Sequence, residues 1–132
     1  ILDTITFAVA AIGSISLLVG AIGILTILSI AVSARTAEIG LLRALAGTKR
    51  RILGIFLGEA AVLAGLGGAA GLALGWGAAV LIETLLPSLP VDTPWSYAVA
   101  AEVSSILIGL LAGVMPAQRA AQMDPLEALR SE

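Results

Sequence analysis

Apolar positions run along this chain in three long blocks. Residues 4–34 carry no charged side chain and include Ile12, Ile15, Leu17, Leu18, Val19, Ile22, Ile24, Leu25, Ile27 and Leu28. A bilayer-spanning helix needs about 20 consecutive apolar residues, so this block is long enough, and it is too long for the roughly 7–15-residue core of a signal peptide. A second block runs from Ile52 to Ile82 and is interrupted only by Glu59. A third runs from Trp95 to Met115, interrupted only by Glu102, and Pro116 is expected to close it because proline has no N–H for the helical ladder. The pattern predicts an all-α integral membrane domain with transmembrane helices over about 5–32, 52–82 and 95–115.

Composition moves the picture in the same direction. The chain is 59% hydrophobic and 12% charged, and its mean hydropathy is +1.09. Soluble domains carry about 25% charge, and so little polar side chain cannot cover a water-facing surface of this size. There is no Cys and no His. That excludes disulfides, thiolate nucleophiles and zinc–thiolate sites, and it removes the commonest general base. No catalytic, cofactor-binding or metal-binding residue is expected. Seven dispersed basic residues with 4% aromatics also make a poor nucleic-acid surface.

The charges set an expected topology. Arg35, Arg43, Lys49, Arg50 and Arg51 lie between the first two spans, and Arg119 and Arg130 follow the third. With three crossings these segments share one side, which then holds all seven basic residues, while the other has Asp3, Glu83 and Asp92. The positive-inside rule makes 33–51 and 116–132 cytoplasmic, 83–94 extracytoplasmic and the start of the chain external. Pro87, Pro90 and Pro94 read as a short, stiff connection, and Trp95 and Tyr97 suit an outer interfacial belt.

The first cytoplasmic segment has structure of its own. Ile39, Leu42 and Leu45/Ala46 recur at helical spacing with Glu38 and Arg43 off that stripe, Gly47 is a terminator, and Thr48 can cap the next helix. That next helix opens on Lys49-Arg50-Arg51, the wrong sign for its positive end, so orientation and anionic headgroups explain these charges better than helix stability does. In the tail, Asp124, Pro125 and Glu127 form a capping-box pattern that opens a short helix. Gly54 and Gly58, then Gly67, Gly71 and Gly75, recur every four residues on one face of the second span. Such a face allows close helix approach, either inside a small bundle or toward a helix or subunit outside this chain.

The run Arg35-Thr36-Ala37-Glu38-Ile39-Gly40-Leu41-Leu42-Arg43-Ala44-Leu45-Ala46-Gly47, then Ile55-Phe56-Leu57-Gly58-Glu59-Ala60, then Gly67-Gly68-Ala69-Ala70-Gly71, and last Pro116-Ala117, Ala120 and Asp124 to Glu132, together resemble the FtsX-like permease domain of MacB- and LolC-type ABC transporters. The motifs occur in the family's order over residues 33–132. The resemblance implies a permease of the bacterial inner membrane, working as a homodimer or heterodimer with a cytoplasmic ABC ATPase, fused or separate. Such proteins act as levers on an extracytoplasmic domain that handles lipoprotein, peptide or drug. It implies that Glu38 to Ala46 is a coupling helix docking into the ATPase, flanked by Arg35 and Gly47, and that the tail reaches the same partner; the alternative for this amphipathic segment is an interfacial helix lying in the headgroups. The family has four helices with an extracytoplasmic domain after the first, so the chain is expected to be a fragment holding the last three. Ala34 stands where the family commonly has Glu, and Glu102 where an apolar residue is usual; Glu102 reads either as snorkelling to the outer interface or as facing the bundle.

Two rival readings accompany this one. Glu59 lies about 12 Å along its helix from Arg51, near the inner edge of the membrane. An acid there serves as an ion-pair or hydrogen-bond partner of groups such as Arg35 or Arg43, snorkels to the interface, or is the site of a small proton-coupled transporter. The second rival is a membrane assembly protein without a transport cycle, as in the family's cell-division branch. The single lysine, Lys49, is not in a phosphate loop, so ATP hydrolysis is expected from a partner.

Overall fold

The computed structural model describes residues 2–45, 47–87 and 94–124. These form α1 (Leu2–Ala34), α2 (Thr36–Ala44), α3 (Lys49–Leu85) and α4 (Trp95–Gln122), with no strand among the described residues. Three of them, α1, α3 and α4, are long and apolar enough to cross a membrane. Their hydroxyl groups suit a lipid-facing surface because they turn inward on the backbone. Ser14 donates to the Ala10 carbonyl, Ser16 to Ile12, Thr26 to Ile22 and Ser104 to Ala100, each one helical turn back.

α4 is the middle helix. It runs antiparallel to α3, with Gly109 against Ala64 and Gly113 against Ala60, and parallel to α1, with Gly109 near Ile24 and Gly113 near Leu28. A Cβ built on Gly113 would sit 2.6 Å from the Ala60 Cβ and 3.4 Å from Leu28 Cδ1, so only glycine admits this approach. With no apolar-to-water transfer to drive association in lipid, close backbone packing of this kind is what holds the pair together. Ser105 adds one cross-helix bond, its hydroxyl donating to the Ala64 carbonyl at 3.1 Å.

The core is concentrated at the end of the bundle that carries the basic residues. Leu28 and Val32 of α1, Ile39 of α2, Ile52, Phe56 and Ala60 of α3, and Ala117, Ala120 and Ala121 of α4 form one buried cluster there. Toward the other end α1 and α3 separate over α4, leaving a cavity of about 600 Å³ lined by Gly20, Ile24, Gly67, Gly71 and Ser105 among others. The bundle is tied at one end and open at the other.

The helix boundaries differ from the pattern in one instructive place. Pro116 does not end the third span: α4 continues through it to Gln122. The proline costs the bond to the Ala112 carbonyl, but its ring is fully buried and the following turn buries Ala117, Ala120 and Ala121 in the core. Tertiary packing outweighs the local penalty, as is common where neighbouring helices surround a proline. The Pro87–Pro94 connection lies mostly outside the described residues.

Candidate functional site

α2 follows α1 almost without a break. The Arg35 amide still bonds to the Ala31 carbonyl at 3.1 Å, its own carbonyl accepts from Ile39 at 3.0 Å, and its backbone (φ −108°, ψ 22°) makes the bend. Thr36 braces the corner through its hydroxyl, which donates to the Val32 and Ser33 carbonyls. The new helix is favourably charged, with Glu38 in its first turn and Arg43 in its last.

The predicted apolar stripe divides in two. Ile39 is 3% exposed and belongs to the core cluster, with Gly40 buried beside it, whereas Leu42 is 52% exposed, Leu45 75%, and Leu41 53%. Of the three residues on the stripe, Ile39 is taken up by the core and Leu42 and Leu45 are left exposed. Ile39 is used to fasten α2 to the bundle, because the bend at Arg35 turns the helix's first turn back against α1 and the core. Leu41, Leu42 and Leu45 form the free edge.

Arg43 supplies the second fastening. Its guanidinium Nη1 donates to the backbone carbonyl of Met123, just past the end of α4. The segment between α1 and α3 and the exit of α4 are thus joined by a charged donor on a main-chain acceptor. After α2, the Leu45 amide bonds to the Leu41 carbonyl and the Gly47 amide to the Leu42 carbonyl, both at 3.0 Å. Gly47 is required by closeness: a Cβ there would lie 2.5 Å from the Leu42 oxygen. Thr48 occupies the N-cap of α3, but its side chain makes no capping bond, and its carbonyl alone engages the first turn through Arg51 and Ile52.

The remaining predicted residues lie elsewhere. Asp124 is exposed beyond α4, while Pro125 and Glu127 of the capping pattern lie outside the described residues. Glu59 is half-buried on α3 and forms no ion pair with Arg35 or Arg43 among the described residues, Arg43 being turned toward Met123. Gly54, Gly58, Gly67, Gly71 and Gly75 would each accept a Cβ with nothing described within 4 Å, so they do not join the helices of this chain to one another. Gly65 and Gly68 do face α4, against the Glu102 side chain, Gly65 also meeting Ile106 and Gly68 also meeting Ser105. Glu102 thus faces the bundle rather than the interface, and its Oε2 is buried without a hydrogen-bond partner among the described residues.

Sequence reasoning passed over the pair that makes the tightest contact, Gly109 and Gly113 on α4. Their four-residue spacing is the sequence signal, and it is outnumbered by the glycines of the second span.

Residues 10–125 match the family described as FtsX-like permease C-terminal. The chain is 41% identical over 129 residues to an ABC transporter permease of Bacillus subtilis (strain 168) named YknZ and described as uncharacterized, covering 96% of this chain and 32% of that protein. It is 40% identical over 129 residues to the macrolide export ATP-binding/permease protein MacB of Hahella chejuensis (strain KCTC 2396), and 42% identical over 134 residues to the MacB of Wolinella succinogenes. Each MacB match covers 98% of this chain and 20% of the relative, so the chain spans between a fifth and a third of the length of these proteins.

Proposed function

The chain belongs to the FtsX-like permease family of ABC transporters, and from that premise we propose that it is the part of the permease that receives motion from a cytoplasmic ATPase and carries it across the membrane. α2 is the receiving element. The observation that supports this reading is the division of labour on α2, where Ile39 and Arg43 anchor it to α1 and α4 while Leu41, Leu42 and Leu45 stay exposed. A short helix anchored to its own bundle with an apolar edge outward suits helix-in-groove docking. A force applied to that edge acts on the buried cluster shared by all the helices.

The positive end of the bundle is then cytoplasmic, and the open end faces outward. The MacB relatives, named as macrolide export ATP-binding/permease proteins, support an ATPase as the docking partner and export as the work performed; a dimeric assembly and release of a peptide, lipoprotein or drug belong to the same proposal. Leu42→Asp tests the docking step. The substitution sets a charge into an apolar contact at a cost of several kcal/mol. In the complete transporter it is expected to insert normally yet lose co-purification with the ATPase and stimulated ATP turnover; wild-type values for both would refute docking through α2. Substrate-linked turnover in the unaltered complex separates a transporter from an assembly protein.

A further inference from the structure

Where α3 begins and α4 ends, the two helices leave a notch of about 210 Å³ that the coupling reading does not use. Its walls are Lys49, Arg50 and Leu53 from α3 with Gln118, Ala121 and Gln122 from α4. Gln118 and Gln122 stand one helical turn apart on one face, and both are exposed, as are Lys49 and Arg50. Ala121 is buried and Leu53 half-buried, so the polar groups surround an apolar floor. No acidic residue lines it.

The charge on this notch is uncompensated. Lys49, Arg50 and Arg51 stand at the positive end of a 37-residue helix whose first turn holds no acid. They repel one another and the helix dipole, an arrangement that costs stability unless an anion sits among them. The chain supplies none, since neither Lys49 nor Arg50 forms an ion pair with a described residue. Across the notch, the two Gln side chains bring amide N–H groups that add neutral donors to the two cations. A compact anion with several acceptor oxygens is the complement of that set, and phosphate meets it.

We propose that this notch holds the phosphate of an anionic phospholipid headgroup, with Lys49 and Arg50 neutralising it and Gln118 and Gln122 fixing its orientation. Position favours a lipid as the source. The notch lies where a bilayer crossing by α3 passes from its basic start into its apolar run, at the depth of headgroups. The seam continuing from it is apolar, with Leu57 one turn on from Leu53 and with Val114 and Leu111 one and two turns back from Gln118, a track for acyl chains. Basic pockets between transmembrane helices take anionic headgroups in this way. A free phosphorylated metabolite fits worse, because the volume falls below the roughly 300–1,000 Å³ of small-molecule sites and the apolar seam would go unused. A zwitterionic headgroup fits worse too, since its ammonium would join two cations and find no acid in the walls.

The test is native mass spectrometry of the full-length permease in detergent, titrated with phosphatidylglycerol or with phosphatidylcholine of the same acyl chains. The first phosphatidylglycerol should bind roughly tenfold or more tightly than phosphatidylcholine, and Lys49→Gln/Arg50→Gln should remove that preference. Both substitutions relieve the positive helix end, so the variant is expected to fold. Arg51→Gln/Arg119→Gln removes the same charge outside the notch and should keep most of the preference. Gln118→Leu/Gln122→Leu changes no charge and should still weaken the first phosphatidylglycerol several-fold. Equal affinity for the two lipids in the wild type, an equal loss in the two charge variants, or wild-type affinity in the double Leu variant overturns the site. Displacement of the bound lipid by millimolar inorganic phosphate overturns the lipid as its occupant, and no displacement is expected.

Discussion

Gly109 and Gly113 determine how near α4 comes to α3, and they do so by lacking a Cβ. At Gly113 an added methyl meets the Ala60 Cβ and Leu28 Cδ1 in the most enclosed part of the bundle, where neither neighbour has room to yield. Gly113→Ala is therefore expected to destabilise the chain by about 1–3 kcal/mol, the usual cost of overpacking. Gly71→Ala in the same chain meets nothing within 4 Å and should leave the unfolding midpoint unchanged or raise it through better helix propensity. Thermal unfolding of both in the same detergent checks the pair; equal losses would contradict the seam described for α3 and α4. Gly47 makes a similar demand for a different reason, since the oxygen it would strike belongs to the backbone of Leu42.

Among the elements, α2 is the one on which the proposed coupling depends. The bond from Arg43 to the Met123 carbonyl is charge-assisted, a class worth about 1.5–3 kcal/mol, and it ties α2 to the exit of α4. Arg43→Ala should leave α3 and α4 protected from amide hydrogen exchange while exchange in 36–45 rises at least tenfold; unaltered exchange in α2 would show that Ile39 alone holds it. How far this was legible in the sequence depended on which rule dominated each segment. The three spans were legible because charges bracket them, Lys49 to Arg51 and Glu83 around α3 for instance. The existence of α2 was legible from its 3.6-residue period and from Gly47. That Ile39 turns inward was not, because periodicity defines a stripe without saying which neighbour takes each residue. Pro116 misled for the same reason: its local rule is sound, and the buried alanines after it outweigh that rule. Glu102 could be read as facing the bundle or the interface, and only the position of Gly65 and Gly68 across the seam decides between them.

At the scale of the chain, the helices share one buried cluster at the basic end and leave a cavity toward the other, and the proposed transmission of movement rests on that arrangement. α3 is 37 residues long, about 55 Å, against a hydrocarbon core of about 30 Å, so a bilayer crossing by this helix requires tilt or extension beyond the hydrocarbon. The orientation is open to direct test. Single substitutions Thr48→Cys and Ser88→Cys, treated in whole cells with an impermeant thiol reagent, should give labelling at position 88 and none at 48; the reverse would invert the molecule. The central claim, that the exposed edge of α2 is where the ATPase takes hold, is tested most directly by photocrosslinking. A benzophenone amino acid is placed in turn at Leu42, Leu45 and Ile39 of the assembled transporter and irradiated in the membrane. Adducts to the ATPase from positions 42 and 45, with none from the core-facing position 39, are the predicted result; no ATPase adduct from 42 or 45 in an assembled complex would contradict it.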